Sequence, residues 1–431
     1  MQGTLVEVDG QYKVSESAPS RQLIGAVIVG TGLTWFDYIS YSFLADVIAR
    51  LFFPSSNEVS SLLLTFGTIG IGFCVRPLGG VWLGAYADRV GRKSALTITI
   101  ALMTTGTAII ALAPTYDQIG IAAPALIVFA RLLQGISAGG KMGSTASLLI
   151  ERTPASRQNY YTSWIQASVG LSILLSASLG FYLTTELDPS VLNNWGWRVP
   201  FWVGLLLGPI GFYIHCRMGE SVQVASARRQ APFREVLCLH PRATLTGTGL
   251  TALWSTCSYV LMFYIPTYAA TALHLPVSTG FCAMLAGGTV LLFVTPVMGA
   301  LADRFGARPF LVGGSVMIFA LAYPMFAFIN ERPGIFSLLI FQVVFGISMA
   351  CYEGPVLAVL SNLFPARVRS SGIAVSYNVG VILFGGFAAA ILTWLMAATE
   401  SNLAPAYYVM VAALISALAG IFYRENDPAS N

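Results

Sequence analysis

The chain has 431 residues, of which 56% are hydrophobic and only 10% charged, and it carries a formal net charge of +4 at pH 7. A soluble domain of ordinary composition holds about 25% charged residues, so this chain is solvated mainly by lipid. Its basic residues sit between hydrophobic stretches and form no patch, which removes nucleic acid as the partner of the positive charge. The six cysteines, at 74, 216, 238, 257, 282 and 351, have no metal-type spacing and are expected to be free thiols; no metal and no cofactor is expected.

In chain order, a polar tail over 1–21 comes first, without the apolar core or small-residue cleavage site of a signal peptide. Twelve apolar segments follow, each near the 20 or so residues that a helix needs to cross a bilayer. They are predicted over 22–52, 58–84, 94–114, 120–150, 161–184, 198–216, 244–270, 277–300, 310–329, 335–363, 371–397 and 404–423. The longest connection, 217–243, divides an N-terminal six-helix bundle, 22–216, from a C-terminal one, 244–423, and residues 424–431 form a second tail. The expected fold is an all-α membrane protein of twelve transmembrane helices in two pseudo-symmetric bundles.

A repeat supports the two halves. Gly84-Ala-Tyr-Ala-Asp88-Arg89-Val-Gly91-Arg92 and Gly299-Ala-Leu-Ala-Asp303-Arg304-Phe-Gly306 share the pattern G-A-x-A-D-R-x-G, half a chain apart. Each joins the end of one apolar segment to the start of the next. Repeated polar turns at the half-length are how many secondary transporters are built. With the N-terminus inside, cytoplasmic segments hold seventeen of the 23 lysines and arginines, so both termini are expected to be cytoplasmic.

A charge at the bilayer centre costs at least about 2.5–3.5 kcal/mol, so each intramembrane charge needs a partner, a wet cavity or a task. Asp37 and Glu353 fall near the midplane; Arg76 and Lys141 lie some 6–10 Å to its cytoplasmic side and Arg131 a similar distance outward, at 1.5 Å per residue. Arg131, Gln134, Ala138, Lys141 and Thr145 recur at helical spacing along one face of the fourth span, a polar stripe with a cation near each end. Gln166, Tyr259, Gln342, Tyr377 and Asn378 are further candidates for hydrogen bonds to a ligand, although each is better suited to satisfying a neighbouring helix. Asp46 and Arg50, four residues apart, are expected to pair on the helix surface.

The two loops resemble the repeated cytoplasmic motif of the major facilitator superfamily. Further stretches resemble its metabolite:proton symporters, the branch of citrate, 2-oxoglutarate, shikimate and proline/betaine carriers. They are Trp35-Phe36-Asp37, Phe73-Cys-Val-Arg76-Pro77, Arg131-Leu-Leu-Gln134-Gly135-Ile-Ser137-Ala-Gly139-Gly140, Trp195-Gly-Trp-Arg198-Val-Pro200-Phe201, Phe364-Pro365-Ala-Arg367 and Ser376-Tyr377-Asn378. The resemblance implies a gating role for Gly84, Asp88, Arg89, Gly91 and Arg92, with Asp303 and Arg304 as a second copy. The family usually has a glutamate where this chain has Lys141, and another where it has Thr34, which makes the expected cavity more positive.

These readings predict a secondary active transporter, not an enzyme. It is expected to move a small organic carboxylate, a di- or tricarboxylate such as citrate, across the bacterial inner membrane as a monomer. Arg131, Lys141, Gln134, Arg76, Gln342, Tyr377 and Asn378 are the expected substrate-binding residues. Asp37 is the expected proton-coupling acid and Glu353 the second choice, with sodium open as the coupling ion. Export of a metabolite or drug, and transport of a monocarboxylate or zwitterionic osmolyte, remain as alternatives.

Overall fold

The computed structural model describes residues 6–8, 11–13, 21–55, 57–90, 92–139, 141–205, 233–366 and 368–423. Two short strands in the N-terminal tail, β1 (Val6–Val8) and β2 (Gln11–Lys13), pair antiparallel. Everything else that is regular is helical. The first span comprises α1 (Arg21–Phe43) and α2 (Ala45–Phe52), the second α3 (Glu58–Cys74) and α4 (Arg76–Val90), and the third α5 (Arg92–Leu112). A one-turn α6 (Tyr116–Ile119) precedes the fourth span, formed by α7 (Ala122–Ala138) and α8 (Lys141–Glu151). The fifth is α9 (Gln158–Glu186); after α10 (Pro189–Asn194), helix α11 at 199–205 begins the sixth.

Inside the expected linker, residues 233–239 fold as α12 (Phe233–Leu239), whose Val236 packs against Phe364, Val368 and Val375. The seventh span is α13 (Pro241–Thr256), a π-helical stretch Cys257–Phe263, and α14 (Ile265–Thr271). Then come α15 (Val277–Phe305), α16 (Ala307–Glu331) and α17 (Ile335–Asn362). The eleventh span is α18 (Arg369–Val381), a second π-helical stretch Ile382–Gly386 and α19 (Ala388–Thr399); α20 (Ala404–Phe422) closes the chain. Among the described residues, eight helices are long and apolar enough to cross a membrane. The other expected spans are occupied by α1 with α2, by α5, by the helix at 199–205 and by α13 with α14.

The breaks have local causes. Pro266 lacks the N–H that an unbroken helix would need, and just before it Tyr264 N bonds back five residues to Tyr259 O at 3.0 Å, a π-type turn. Gly139 ends α7, and a Cβ there would stand 1.9 Å from the Arg76 carbonyl oxygen. At Gly135 the same contact with Gly72 O would be 2.1 Å. Spans two and four therefore touch backbone to backbone, as small residues allow in lipid.

Large apolar side chains such as Leu64, Phe129, Phe293, Phe336 and Phe422 stay exposed around the outside, where lipid can cover them. The interior is aromatic where the halves meet. Ring centroids of Phe43 and Phe281 are 5.3 Å apart, those of Phe66 and Tyr264 5.8 Å, and those of Phe73 and Tyr259 5.3 Å. The result is a twelve-helix membrane fold in two halves packed across a central seam.

Candidate functional site

The charges named above gather in three clusters: Asp37 with Arg131 on helices of the N-terminal half, where Lys141 also lies, Arg76 among aromatic rings, and Glu353 where the two halves meet. In the first, Asp37 projects from α1 and Arg131 and Gln134 from one face of α7, three residues apart. Arg131 Nη1 donates to Gln134 Oε1 at 2.7 Å, and Gln134 Nε2 donates to Asp37 Oδ2 and, at 3.1 Å, to Thr107 Oγ1. A glutamine thus stands between a buried cation and a buried anion. Arg131 is fully buried, with its guanidinium carbon 3.7 Å from the Tyr41 ring centroid. Its Nε and Nη2, and Asp37 Oδ1, have no hydrogen-bond partner. Guanidinium N–H groups left open in this way suit a carboxylate, which they can bind bidentately.

Arg76 begins α4 and is also buried. It lies over Phe73 at 3.7 Å and near the rings of Tyr38 and Trp35 at 5.0 and 6.0 Å, an aromatic seat for a cation. Tyr377, another expected site residue, packs against Trp254 with centroids 4.9 Å apart and the rings tilted by 51°. Trp35, Trp254, Tyr259 and Tyr377, with Gln166 and Ser258, border a small cavity between the halves. That cavity and a neighbouring one beside Ser42, Phe66 and Gly386 each have room for about one water molecule. Admitting a carboxylate of several carbons requires the helices to part.

Lys141 lies on α8, beyond the turn at Gly139 that ends α7, and the predicted stripe continues from α7 to α8 along the fourth span. Its Nζ donates to Thr34 Oγ1 on α1 at 2.6 Å. Both ends of the stripe therefore meet the first span, Lys141 at Thr34 and Gln134 at Asp37, one helical turn apart. Asn378 Nδ2 donates to the carbonyl of Gly139 at 3.2 Å, tying the eleventh span to the fourth. Gln342 stands apart from these groups: its Nε2 donates to Leu261 O at 2.8 Å, a carbonyl of the first π-helical stretch.

The third cluster surrounds Glu353, which is 2% exposed on α17. Gln166 Nε2, from α9, donates to Glu353 Oε2 at 3.1 Å, and Ser258 Oγ lies 3.3 Å from Oε1. Sequence patterning marks Glu353 and Gln166 as polar residues in apolar helices but does not show that they meet. The contributions of Thr34, Thr107 and Tyr41 were not foreseen; the only trace of Thr107 is the polar run Thr104-Thr105-Gly106-Thr107 inside an apolar segment.

Away from the seam's centre, Asp303 reaches from the end of α15 to the start of α9. Its Oδ1 accepts from the Asn159 backbone N–H and side-chain amide, and its Oδ2 from the Tyr160 N–H, all at 2.9 Å. The two backbone N–H groups are orphan donors of a helix whose own N-cap residue, Arg157, supplies no side-chain bond. Arg304 lies over the Phe305 ring at 5.3 Å. The side chains of the first motif copy, Gly84, Asp88, Arg89, Gly91 and Arg92, lie outside the described residues. Asp46 and Arg50 form the expected surface pair, at 2.5 Å.

A helical bundle with paired polar turns and buried charges at its seam defines a membrane carrier. Comparison with known proteins agrees. The family model of the Major Facilitator Superfamily matches residues 27–295 and 283–431, and the chain belongs to that superfamily. It is 34% identical over 428 residues to a citrate-proton symporter of Klebsiella pneumoniae, covering 96% of each chain. It is 31% identical over 430 residues to a proline/betaine transporter of Salmonella typhimurium, covering 96% of this chain and 86% of that one. A crystal structure of a D-xylose-proton symporter superposes with a TM-score of 0.71 at 18% identity, over 92% of this chain and 96% of the other, a likeness of fold.

Proposed function

We propose that this chain is a proton-coupled symporter that carries an organic carboxylate, a di- or tricarboxylate such as citrate, into the cell by alternating access. The similarity to citrate-proton symporters supports both the cargo and the coupling ion. The observation that carries the reading is Arg131: a buried guanidinium with two nitrogens, Nε and Nη2, unbonded, beside an anion it reaches only through Gln134. A substrate carboxylate would take those N–H groups, with Lys141 as a point charge one turn further along span one and Arg76 in its aromatic seat. Asp37 would bind the coupling proton as substrate enters, since an arriving anion competes with it for Arg131.

Contacts at both ends of the seam support alternating access. Asp303 caps α9 across the halves, and Asn362 Nδ2 donates to Gln158 Oε1 at 3.0 Å beside it. The Phe43–Phe281 and Phe66–Tyr264 contacts hold the other end. Breaking one set while keeping the other exposes the site to one side at a time. The basic loops favour the Asp303 end as cytoplasmic, with both termini on that side of a bacterial inner membrane and the monomer as the working unit.

A second reading is a carrier of zwitterionic osmolytes. The proline/betaine transporters among the relatives and the aromatic border of the seam cavity, which can hold an alkylammonium group, support it. Counterflow in proteoliposomes tests the two. Labelled citrate exchanging in wild type but not in Arg131→Ala supports the first reading. Glycine betaine exchanging while citrate does not would overturn it in favour of the second.

A further inference from the structure

Two buried carboxylates, Asp37 and Glu353, each receive a hydrogen bond from a glutamine, but the glutamines are wired differently. The carbonyl oxygen of Gln134 is held by Arg131 Nη1. Rotating that amide by half a turn would press its NH2 against a guanidinium, so Gln134 can only donate to Asp37. The carbonyl oxygen of Gln166 is buried and has no hydrogen-bond partner. Rotating this amide costs no existing bond except the one to Glu353 itself, and it turns Gln166 from donor into acceptor.

The second partner of Glu353 has the same freedom. Ser258 has one hydroxyl proton, and two acceptors lie within reach: the Trp254 carbonyl at 3.0 Å and Glu353 Oε1 at 3.3 Å. When the proton points to Trp254, the Ser258 oxygen is an acceptor toward Glu353. Both groups that touch this carboxyl therefore accommodate either state: two donors for the carboxylate, two acceptors for the acid. The ionisable groups facing Glu353 are the Cys257 thiol and the Tyr377 hydroxyl from neighbouring spans and Tyr352 from its own. No lysine, arginine or histidine lies within ion-pair distance of it among the described residues. Asp37, by contrast, has Arg131 one glutamine away.

We propose that Glu353 binds a second proton during the transport cycle, and that Gln166 carries its protonation state across the seam. This rests on the reading of the chain as a proton-coupled carrier. The carboxylate takes one proton from the water on the side to which the site opens and releases it on the other; nothing is oxidised or reduced. As a carboxylate it accepts from the amide of the opposite half and holds α17 to α9. As an acid it donates to Gln166 Oε1 or to Ser258, and Gln166 turns over. A proton at this place also removes a negative charge one hydrogen bond behind the cavity wall, at Gln166 and Ser258, before an anionic substrate arrives.

Infrared difference spectra between acid and alkaline pH, recorded on purified protein without substrate, test it directly. A carbonyl band of a protonated buried acid is expected in wild type, absent in Glu353→Gln, retained in Asp37→Asn and displaced in Gln166→Leu. In proteoliposomes with labelled citrate, Glu353→Gln should keep counterflow while its proton-to-citrate ratio falls by one. A band unchanged by Glu353→Gln, or an unchanged ratio, overturns the assignment. If wild type moves no citrate, the cargo reading fails, and the infrared band still decides the role of Glu353.

Discussion

Lys141 and Thr34 lie 107 positions apart and are joined by a 2.6 Å hydrogen bond from Nζ to Oγ1. These are the two places where the chain departs from the acidic residues that its resemblance to the symporters leads one to expect, and they touch each other. The departures thus act as one unit: an ammonium seated by a hydroxyl, on the same face of span one as Asp37.

From this pairing, Lys141→Glu should shift preference toward less anionic or zwitterionic substrates, because it replaces a cation beside the site with an acid. Thr34→Val should weaken binding by roughly tenfold to 150-fold, the net effect of losing one charge-assisted hydrogen bond of about 1.5–3 kcal/mol. A thermal-shift series of mono-, di- and tricarboxylates on both purified variants measures this. A ligand profile identical to wild type in Lys141→Glu would remove Lys141 from substrate selection.

Arg131→Ala should abolish citrate binding and also lower stability, by about 3–5 kcal/mol, since it leaves Asp37 buried beside Gln134 with no cation behind it. Arg131→Lys restores the charge but not the planar fork, so stability should recover more than binding does. Melting temperature and binding, measured together on both variants, separate the two contributions. Wild-type affinity in Arg131→Ala would dismiss the anchor role.

Asp303→Ala should leave substrate binding nearly intact and impair transport. It removes a carboxylate that accepts three bonds from Asn159 and Tyr160, at the end of the molecule and away from the Arg131 cluster. Loss of a helix cap costs about 0.5–2 kcal/mol, here taken from the closed state of one end only. Asp88→Asn, in the first copy of the motif, should act alike. Uptake rates equal to wild type in both variants would show the motif to be a plain turn.

The spans were legible because bilayer thickness sets their length: Glu58, Val277 and Ile335 begin helices within a residue of the sequence expectation. Residue pairs on one helix were legible too, since Arg131 and Gln134 at i,i+3 must share a face. Which helix that face meets depends on packing through Gly135 and Gly139, and spacing carries no record of it. The π-helical stretches at Cys257–Phe263 and Ile382–Gly386 were not foreseen, because they balance Pro266 and close aromatic packing against helix regularity. Gln166 meeting Glu353 across 187 positions is likewise a product of tertiary packing.

Asp37→Asn separates coupling from structure. The amide oxygen of an asparagine can still accept from Gln134 Nε2, so the cluster keeps its shape while losing the group that binds a proton. If Asp37 carries a coupling proton, the variant should fail to accumulate citrate under a pH gradient yet still exchange internal for external citrate, because exchange need not release the proton. If Asp37 serves only to neutralise Arg131, the uncompensated guanidinium should cost binding and exchange together. Gradient-driven uptake and exchange, measured side by side in proteoliposomes, distinguish these outcomes. Robust gradient-driven accumulation by Asp37→Asn would eliminate Asp37 as a coupling acid and leave Glu353, with its reversible partners Gln166 and Ser258, as the proton carrier.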